Sequence, residues 1–392
     1  MKRMAGIWLI LLILLVPFSG MAAEQSTGCI AEHPVQFSEP PLFGQVQVTE
    51  LPNGTLLLSY FSQNSNWRSE APYYQVYGER FAILNRDGSG VWEHAFRYLD
   101  EPTAEIGDYY CQYRLAEDTF LIELYFDSEM DNYGWYLRRT DGSAMEKSNK
   151  RVKLADEDIC YTQNLYPFLL EEYRQMDEVG NPRVVIEHIP SGSVGQAVAA
   201  NFKAVWGDRL YLVELPLKDG QYALNVYGPD CELITQFPLP FREIPFSSTA
   251  AKESEIPYRN LCGMLVNGEK AVFLAAEQES DLPYSLYILN LNTKEFCAPI
   301  PLPFQQGEIE LLAIQDENIL LSLQSIPMLF SVKKGDTSHW WHLYQVMPDG
   351  QTAFLEDLGQ QLIWHDAQED GSALLLLRDT EKDTYSFRTY QY

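Results

Sequence analysis

Three short acidic segments of the chain follow one formula, in which an acidic residue, a glutamate and an aspartate alternate with single other residues. They are DSEMD at 127–131, EQESD at 277–281 and DTEKD at 379–383. In an extended backbone, residues i, i+2 and i+4 point to the same side, so each segment would present its carboxylates together. Calcium takes roughly six to eight oxygen ligands and binds clustered carboxylates. The candidate calcium ligands are therefore Asp127, Glu129, Asp131, Glu277, Glu279, Asp281, Asp379, Glu381 and Asp383.

The same segments have two other interpretations. Calcium loops of the D-x-D-x-D-G type need glycine at the sixth position for a sharp turn, where this chain has Asn132, Leu282 and Thr384. Charge at hairpin tips keeps a sheet soluble and discourages edge pairing, and an acidic surface would also dock a basic partner. We therefore expect no obligatory cofactor, with calcium as the candidate metal.

The segment HWWH at 339–342 is the densest combination of histidine and aromatic residues. Its two histidines would share a face of a helix but would point to opposite sides of a strand, so a joint metal site is not expected. Exposed aromatic rings on long loops suit stacking on a sugar ring or a protein hot spot, whereas the alternative is that they belong to the core. The candidate ligand-binding residues are Trp67, Tyr73, Tyr74, Trp340 and Trp341.

Catalytic motifs are missing from the sequence. There is no G-x-S-x-G elbow, P-loop, H-E-x-x-H or Rossmann glycine pattern. Glycosidases need two carboxylates about 5 to 9.5 Å apart, and 55 acidic residues do not nominate one pair. We predict no catalytic residue, and the protein is more readily interpreted as a non-enzyme.

Short apolar runs dominate the elements that must position these residues, for example GTLLLSYF, RLYLVEL, KAVFLAA and SALLLLRD. Their length and their bounding Gly, Asp, Asn or Pro residues predict buried strands. Each run precedes an aromatic-rich strand, a tight turn and another strand, and Asp87-Gly88, Asp141-Gly142 and Asp349-Gly350 are hairpin-turn signals. The unit recurs about every 50 residues, which is typical of a β-propeller blade.

We predict an all-β fold, a single β-propeller with seven four-stranded blades. The last blade lacks a strand, which the N-terminal segment HPVQFSEP at 33–40 would supply. Six blades with an insertion, or two packed β-sandwiches, are the alternatives, and the third unit also has a short-helix interpretation. The predicted units are 41–102, 106–154, 156–200, 201–246, 256–305, 308–359 and 360–392 with the N-terminal strand.

The repeat resembles secreted bacterial β-propellers of the broad WD40-like, YVTN-like and TolB-like group, across residues 33–392. Blade-specific signatures are absent, because no Gly-His and Trp-Asp pair recurs. The resemblance implies a closed ring whose loops on one rim form the binding site. It implies no particular ligand, since this fold carries unrelated functions.

The N-terminus predicts export. Lys2 and Arg3 precede the apolar run MAGIWLILLILLVPF, which ends in small residues, as in a cleaved secretory signal peptide. We assign residues 1–23 to the signal and 24–392 to the propeller domain, and we expect a secreted or extracytoplasmic protein with no membrane insertion after cleavage. Six cysteines lie beyond the signal, so disulfides are expected, with free thiols as the alternative.

Charge narrows the partners. The chain has 28 basic and 55 acidic residues, a net charge of -27, and such a surface repels the phosphate backbone of nucleic acids. We therefore expect a non-catalytic binding or scaffolding propeller that recognises a protein, peptide or glycan through its loop-bearing rim. The alternative is a carbohydrate-active enzyme, a glycosidase or lyase, with its site at the propeller axis.

Overall fold

The computed structural model describes most of the chain from residue 28 onward. The described ranges are 28–62, 79–95, 109–115, 119–126, 135–139, 146–148, 159–176, 182–214, 220–243, 256–276, 284–304, 307–324 and 341–392. Every regular element within them is a β-strand. The described part of the chain thus contains no helix, and therefore no helix that could cross a membrane.

The strands form antiparallel sheets, which we number as blades in chain order. Blade 1 contains β2 (Pro41–Glu50), β3 (Leu56–Ser62), β4 (Glu79–Leu84) and β5 (Gly90–Ala95); blade 2 contains β6 (Tyr109–Leu115), β7 (Thr119–Phe126), β8 (Trp135–Arg139) and β9 (Glu146–Ser148). Blade 3 contains β10 (Ile159–Leu165), β11 (Phe168–Met176), β12 (Pro182–His188) and β13 (Ser193–Ala197); blade 4 contains β14 (Ala200–Trp206), β15 (Arg209–Glu214), β16 (Gln221–Tyr227) and β17 (Leu233–Arg242).

The second half of the chain continues the pattern. Blade 5 contains β18 (Asn260–Val266), β19 (Lys270–Ala276), β20 (Tyr284–Asn290), β21 (Glu295–Phe296) and β22 (Ile300–Pro301); blade 6 contains β23 (Glu308–Gln315), β24 (Asn318–Gln324), β25 (Trp341–Val346) and β26 (Thr352–Asp357). Blade 7 contains β27 (Gln361–Ala367), β28 (Ala373–Asp379), β29 (Thr384–Gln391) and, from the N-terminal end, β1 (Gly28–Val35).

The prediction of seven four-stranded blades is not met. Among the described strands, six sheets have four strands each, and the sheet at 260–301 has five. Its outer edge is split, because β21 and β22 pair separately with β20. Pro299 lies at the break and has no N–H to donate to a ladder. In blade 3, the segment with the short-helix interpretation forms the strands β10 and β11 instead, so that interpretation is wrong.

The N-terminal strand closes the ring, as predicted from the shortage of strands at the C-terminus. It pairs antiparallel with β29, from Gly28 opposite Gln391 to Val35 opposite Tyr385. Its bounds differ from the predicted 33–40, because the strand begins earlier and residues 36–40 form the link to β2. The ring of Phe37 in that link lies 4.9 Å from the rings of Tyr60 and Tyr385, and so joins blade 7 to blade 1.

Packing between blades explains why the second strands are continuous apolar runs. On β19, Ala271 and Phe273 belong to the hydrophobic cluster shared with blade 4, whereas Val272 and Leu274 belong to the cluster shared with blade 6. A strand buried on both faces needs no polar alternation. Equivalent clusters join blades 3 and 4, 6 and 7, and 7 and 1. The stacked blades bring the first strand of each sheet toward one axis.

Candidate functional site

A cavity of about 950 Å³ opens where the inner ends of several blades converge. Its wall includes the end of β2, the β10–β11 connection at 164–167, the β14–β15 connection at 206–207 and the β27–β28 connection at 367–372. The three connections join the first and second strands of a blade, and the wall also includes Arg86 and Asp87 from the β4–β5 turn, at the same end of its blade. The cavity therefore lies on one face of the propeller, around the axis, where binding sites in closed β-structures commonly form.

The loop-bearing rim predicted from the sequence lies on the opposite face. In an antiparallel sheet of four strands, the connection between the second and third strands is at the other end from the connection between the first and second. The long aromatic segments and the acidic triplets all follow second strands, namely β3, β7, β19, β24 and β28. The structure therefore shows a cavity at the axis, where the sequence interpretation placed only the alternative enzyme site and nominated no residues.

Two turns with the same residues face this cavity, one from blade 1 and one from blade 7. In the first, the backbone N–H and the hydroxyl of Ser89 donate to Oδ1 of Asp87 at 2.9 and 2.6 Å. In the second, Ser372 donates to Oδ1 of Asp370 at the same two distances. The intervening Gly88 and Gly371 have φ of 77° and 82°, which glycine adopts at little cost. The Asp87-Gly88 turn was predicted correctly, as was the Asp349-Gly350 turn of blade 6; Asp141-Gly142 lies outside the described residues.

These turns keep their carboxylates ionised. The side-chain hydrogen bond from the serine, followed by its backbone N–H, lowers the pKa of both Asp87 and Asp370. Glu50 and Glu369 are exposed beside them on the same cavity wall. The cavity therefore has an acidic rim at neutral pH.

Arg86 is the one guanidinium among the described residues that line the cavity. Its Nη1 donates to Oδ2 of Asp366 at 3.0 Å and to Oε1 of Gln368 at 2.8 Å, and its Nη2 donates to Oε1 of Glu50 at 2.6 Å. Burial alone would lower the pKa of Arg86, but the Glu50 charge and the hydrogen bonds to both carboxylates outweigh it, so the pKa is raised. Arg86 thus stays charged, ties blade 1 to blade 7, and has its charge neutralised by the wall.

His365 on β27 supplies an enclosed polar group. Burial lowers the pKa of His365 to about 4, against an opposing effect of Asp366, so the ring is neutral at pH 7. His365 is partly exposed and is among the residues that line the cavity. No described residue forms a hydrogen bond with its ring nitrogens. A neutral imidazole has one donor and one acceptor nitrogen.

Aromatic residues form the less polar part of the wall, namely Tyr166, Trp206 and Trp364. Trp364 packs edge-on to Phe387, with ring centroids 6.5 Å apart, and Trp206 lies against Gly268 of blade 5. Trp206 is therefore held in place by a neighbouring blade, and Trp364 by another strand of its own blade. A fixed aromatic surface beside carboxylates suits the aliphatic stem and charged head of a basic side chain.

The predicted aromatic ligand-binding residues fall mostly outside the described residues. This holds for Trp67, Tyr73, Tyr74 and Trp340. Trp341 begins β25 and is 5% exposed, within the hydrophobic cluster between blades 6 and 7. Binding by the four other rings stays a prediction, while Trp341 has the core environment of the alternative interpretation.

The acidic triplets at 127–131 and 277–281 also lie outside the described residues. The third triplet forms a tight turn between β28 and β29, not the extended backbone predicted. Asp379 accepts from the backbone N–H groups of Glu381 and Lys382 at 3.0 Å each, and Asp383 accepts from the guanidinium of buried Arg378 at 2.8 Å. These carboxylates therefore have separate partners. Calcium binding by the triplets stays a prediction.

The cysteines whose side chains are described are free thiols: Cys29, Cys231, Cys262 and Cys297. Cys231 is buried, and burial raises its thiol pKa. For these four, the alternative interpretation of free thiols holds. Cys111 and Cys160 lie on described strands of neighbouring blades, but their side chains are outside the description.

Comparisons with known proteins find distant structural similarity and no family. No protein-family model matches the chain, and no curated protein matches it. Among solved structures, it is similar to the β-propeller domain of the Trilobed protease from Pyrococcus furiosus, with 14% identity over 69% of this chain and 79% of that chain and a TM-score of 0.39. A chain of the Mitotic Checkpoint Complex has 7% identity over 94% of both chains and a TM-score of 0.40. A chain of Kuenenia stuttgartiensis hydrazine synthase has 11% identity over 88% of this chain and 76% of that chain and a TM-score of 0.36. The assignment of this chain as a β-propeller rests on its own strand pairing.

Proposed function

We propose that this protein is an exported, non-catalytic binding module that takes a segment of a partner protein or peptide into its axial cavity. The observation that carries the proposal is the cavity itself, about 950 Å³ in volume, with an acidic rim and a wall of fixed aromatic rings. Cavities of this size with a few convergent polar groups are the usual form of a ligand site. The signal-peptide pattern at residues 1–23 supports export.

The wall is better suited to binding than to acid–base catalysis. Asp366 is held by Arg86 and Gln368, and the two turn aspartates are held by serine hydroxyls. A carboxyl group that acts as a general acid near neutral pH needs a raised pKa, whereas those of Asp87 and Asp370 are lowered. A glycosidase or lyase with its site at the axis remains the alternative function.

Peptide selection tests the proposal. A displayed library of random peptides is selected on the mature protein, and enriched peptides are then synthesised and titrated against two variants. Glu369→Trp places a large ring on the cavity rim at an exposed position. Glu269→Trp is the matched control, because Glu269 is exposed on the corresponding β18–β19 hairpin of blade 5, which does not line the cavity.

The proposal expects Glu369→Trp to weaken binding of the enriched peptides at least about tenfold, which corresponds to about 1.4 kcal/mol, and Glu269→Trp to leave it unchanged. Equal binding by the wild type and Glu369→Trp would overturn the cavity as the site. Failure to enrich any peptide over the starting library would overturn peptide binding as the function.

A further inference from the structure

The charges around the cavity are not balanced by the described residues. The wall carries five carboxylates, from Glu50, Asp87, Asp366, Glu369 and Asp370. Arg86 faces two of them, Glu50 and Asp366. The enclosed histidine, His365, adds no compensating charge at neutral pH because burial keeps it neutral.

The two sides of the cavity therefore differ. On the Arg86 side, a guanidinium already lies among carboxylate and amide oxygens. Asp87 and Asp370 accept hydrogen bonds from neutral donors, Ser89 and Ser372, and the charge of His33, which also lines the cavity, contributes to the lowered pKa of Asp87. A hydroxyl satisfies a lone pair but does not neutralise a charge. Asp87, Glu369 and Asp370 therefore carry negative charge that no guanidinium or ammonium group of the described wall pairs with.

We propose that the group that enters the cavity is a basic side chain, an arginine guanidinium or a lysine ammonium, of the bound segment; this inference rests on the proposed function. The cation lies against Asp87, Asp370 and Glu369, and its remaining N–H donors reach the neutral acceptor nitrogen of His365. The stem of the side chain packs on Trp364 or Trp206. The contacts of Arg86 show that carboxylate and amide oxygens of this wall accept hydrogen bonds from a guanidinium.

Neutral and acidic ligands fit the site less well. A neutral sugar would leave the carboxylates uncompensated as it displaced the water that solvates them, and burying an uncompensated charge is costly. An acidic ligand would add repulsion. The net charge of the chain, -27, also favours the approach of basic segments to the protein.

Peptides that are matched in side-chain length but differ in charge test the inference. Blocked pentapeptides with a central arginine, citrulline, lysine or acetyl-lysine are titrated by calorimetry against the mature protein at low salt. Citrulline and acetyl-lysine keep the length of the side chain and remove its charge. We expect the arginine or lysine peptide to bind at least about fivefold more tightly than its neutral analogue, because hydrogen bonds to charged groups are the stronger kind.

Turn variants locate the charge. The double variant Asp87→Asn, Asp370→Asn keeps a side-chain oxygen for each serine donor and removes both charges. It should weaken the basic peptide at least about fivefold. Asp349→Asn is the matched control, because Asp349 accepts from the backbone N–H of Gln351 at 2.9 Å in an equivalent Asp-Gly turn that does not line the cavity, and it should change nothing.

Three results would overturn the inference. They are equal binding of charged and neutral peptides, equal losses in the double variant and in Asp349→Asn, and no binding of either basic peptide up to about 10 mM, which is weaker than ordinary specific recognition. The proposed function is judged separately. If the selected peptides are neutral or acidic and their binding is still weakened by Glu369→Trp, the basic side chain is refuted as the bound group, whereas the cavity is retained as the binding site.

Discussion

Blade 7 carries two acidic turns at its opposite ends, and they treat their carboxylates differently. At the β28–β29 end, Asp383 pairs with fully buried Arg378, and Asp379 pairs with Lys382 at 2.9 Å. At the β27–β28 end, Asp370 and Glu369 line the axial cavity, and Asp370 is bonded by Ser372. In the first turn the carboxylates pair with cationic side chains of the same blade. In the second turn the carboxylates line the cavity without a cationic partner among the described residues. The comparison indicates that an acidic turn is a candidate binding site for a cation when the donors that bind its carboxylates are neutral.

The largest expected effect is at the β28–β29 turn. Replacing Arg378 by Met should lower the free energy of unfolding by about 3 to 5 kcal/mol, because it leaves Asp383 ionised, buried and without its cation. Lys382→Met is the control: Lys382 is 74% exposed in its pair with Asp379, and exposed pairs contribute little. Urea unfolding of both variants checks this. Equal effects of the two would refute a structural role for the buried pair.

A second effect is expected where the β27–β28 turn meets blade 6. Gly371 has φ of 82°, and a Cβ there would lie 3.0 to 3.2 Å from atoms of Gln315. Gly371→Ala should therefore lower the free energy of unfolding by about 2 to 3 kcal/mol, from backbone strain and crowding together. Gly359→Ala, at φ of 57° with no atom within 4 Å, should cost only about 1 kcal/mol of strain. Matched urea titrations would contradict this if Gly359→Ala were the more damaging.

The smallest of these effects depends on pH. The unfolded chain protonates His365 below about pH 6.5, whereas the folded protein does so only at about 4. Stability is therefore lost as pH falls through this window, by roughly 2 kcal/mol between pH 7 and pH 5. His365→Gln should remove that part of the pH dependence, measured as the difference between wild type and variant in urea unfolding at the two pH values. An unchanged pH dependence would show that the ring is not enclosed.

Much of the fold followed from local pattern. Runs such as KAVFLAA predict strands because both faces of the second strand are buried, and the missing final strand predicts pairing between the two ends of the chain. The split edge of blade 5 was missed, although the sequence shows an additional proline, Pro299, at the break. At 379–383 the extended arrangement is wrong and the hairpin-tip interpretation holds, because Asp379 accepts from the backbone N–H groups of the turn and Asp383 pairs with Arg378.

The site was less accessible from the sequence. DGS occurs at 87–89, 141–143 and 370–372, and that repetition was the signal available, although it does not separate the two cavity turns from the third copy. Nothing local shows that these turns share a cavity, or that Arg86 reaches Asp366. Such contacts arise from closure of the ring, which joins blade 1 to blade 7. Attention to long loops pointed instead to the opposite face.

The most direct test of the central claim is hydrogen–deuterium exchange measured with and without a peptide selected on the protein. The account predicts slower exchange in the segments 164–167 and 364–370, which line the cavity, and unchanged exchange in β25 on the side of the long loops. Protection of β25 and its flanking loop, with no change around 364–370, would contradict it and place binding on the opposite face.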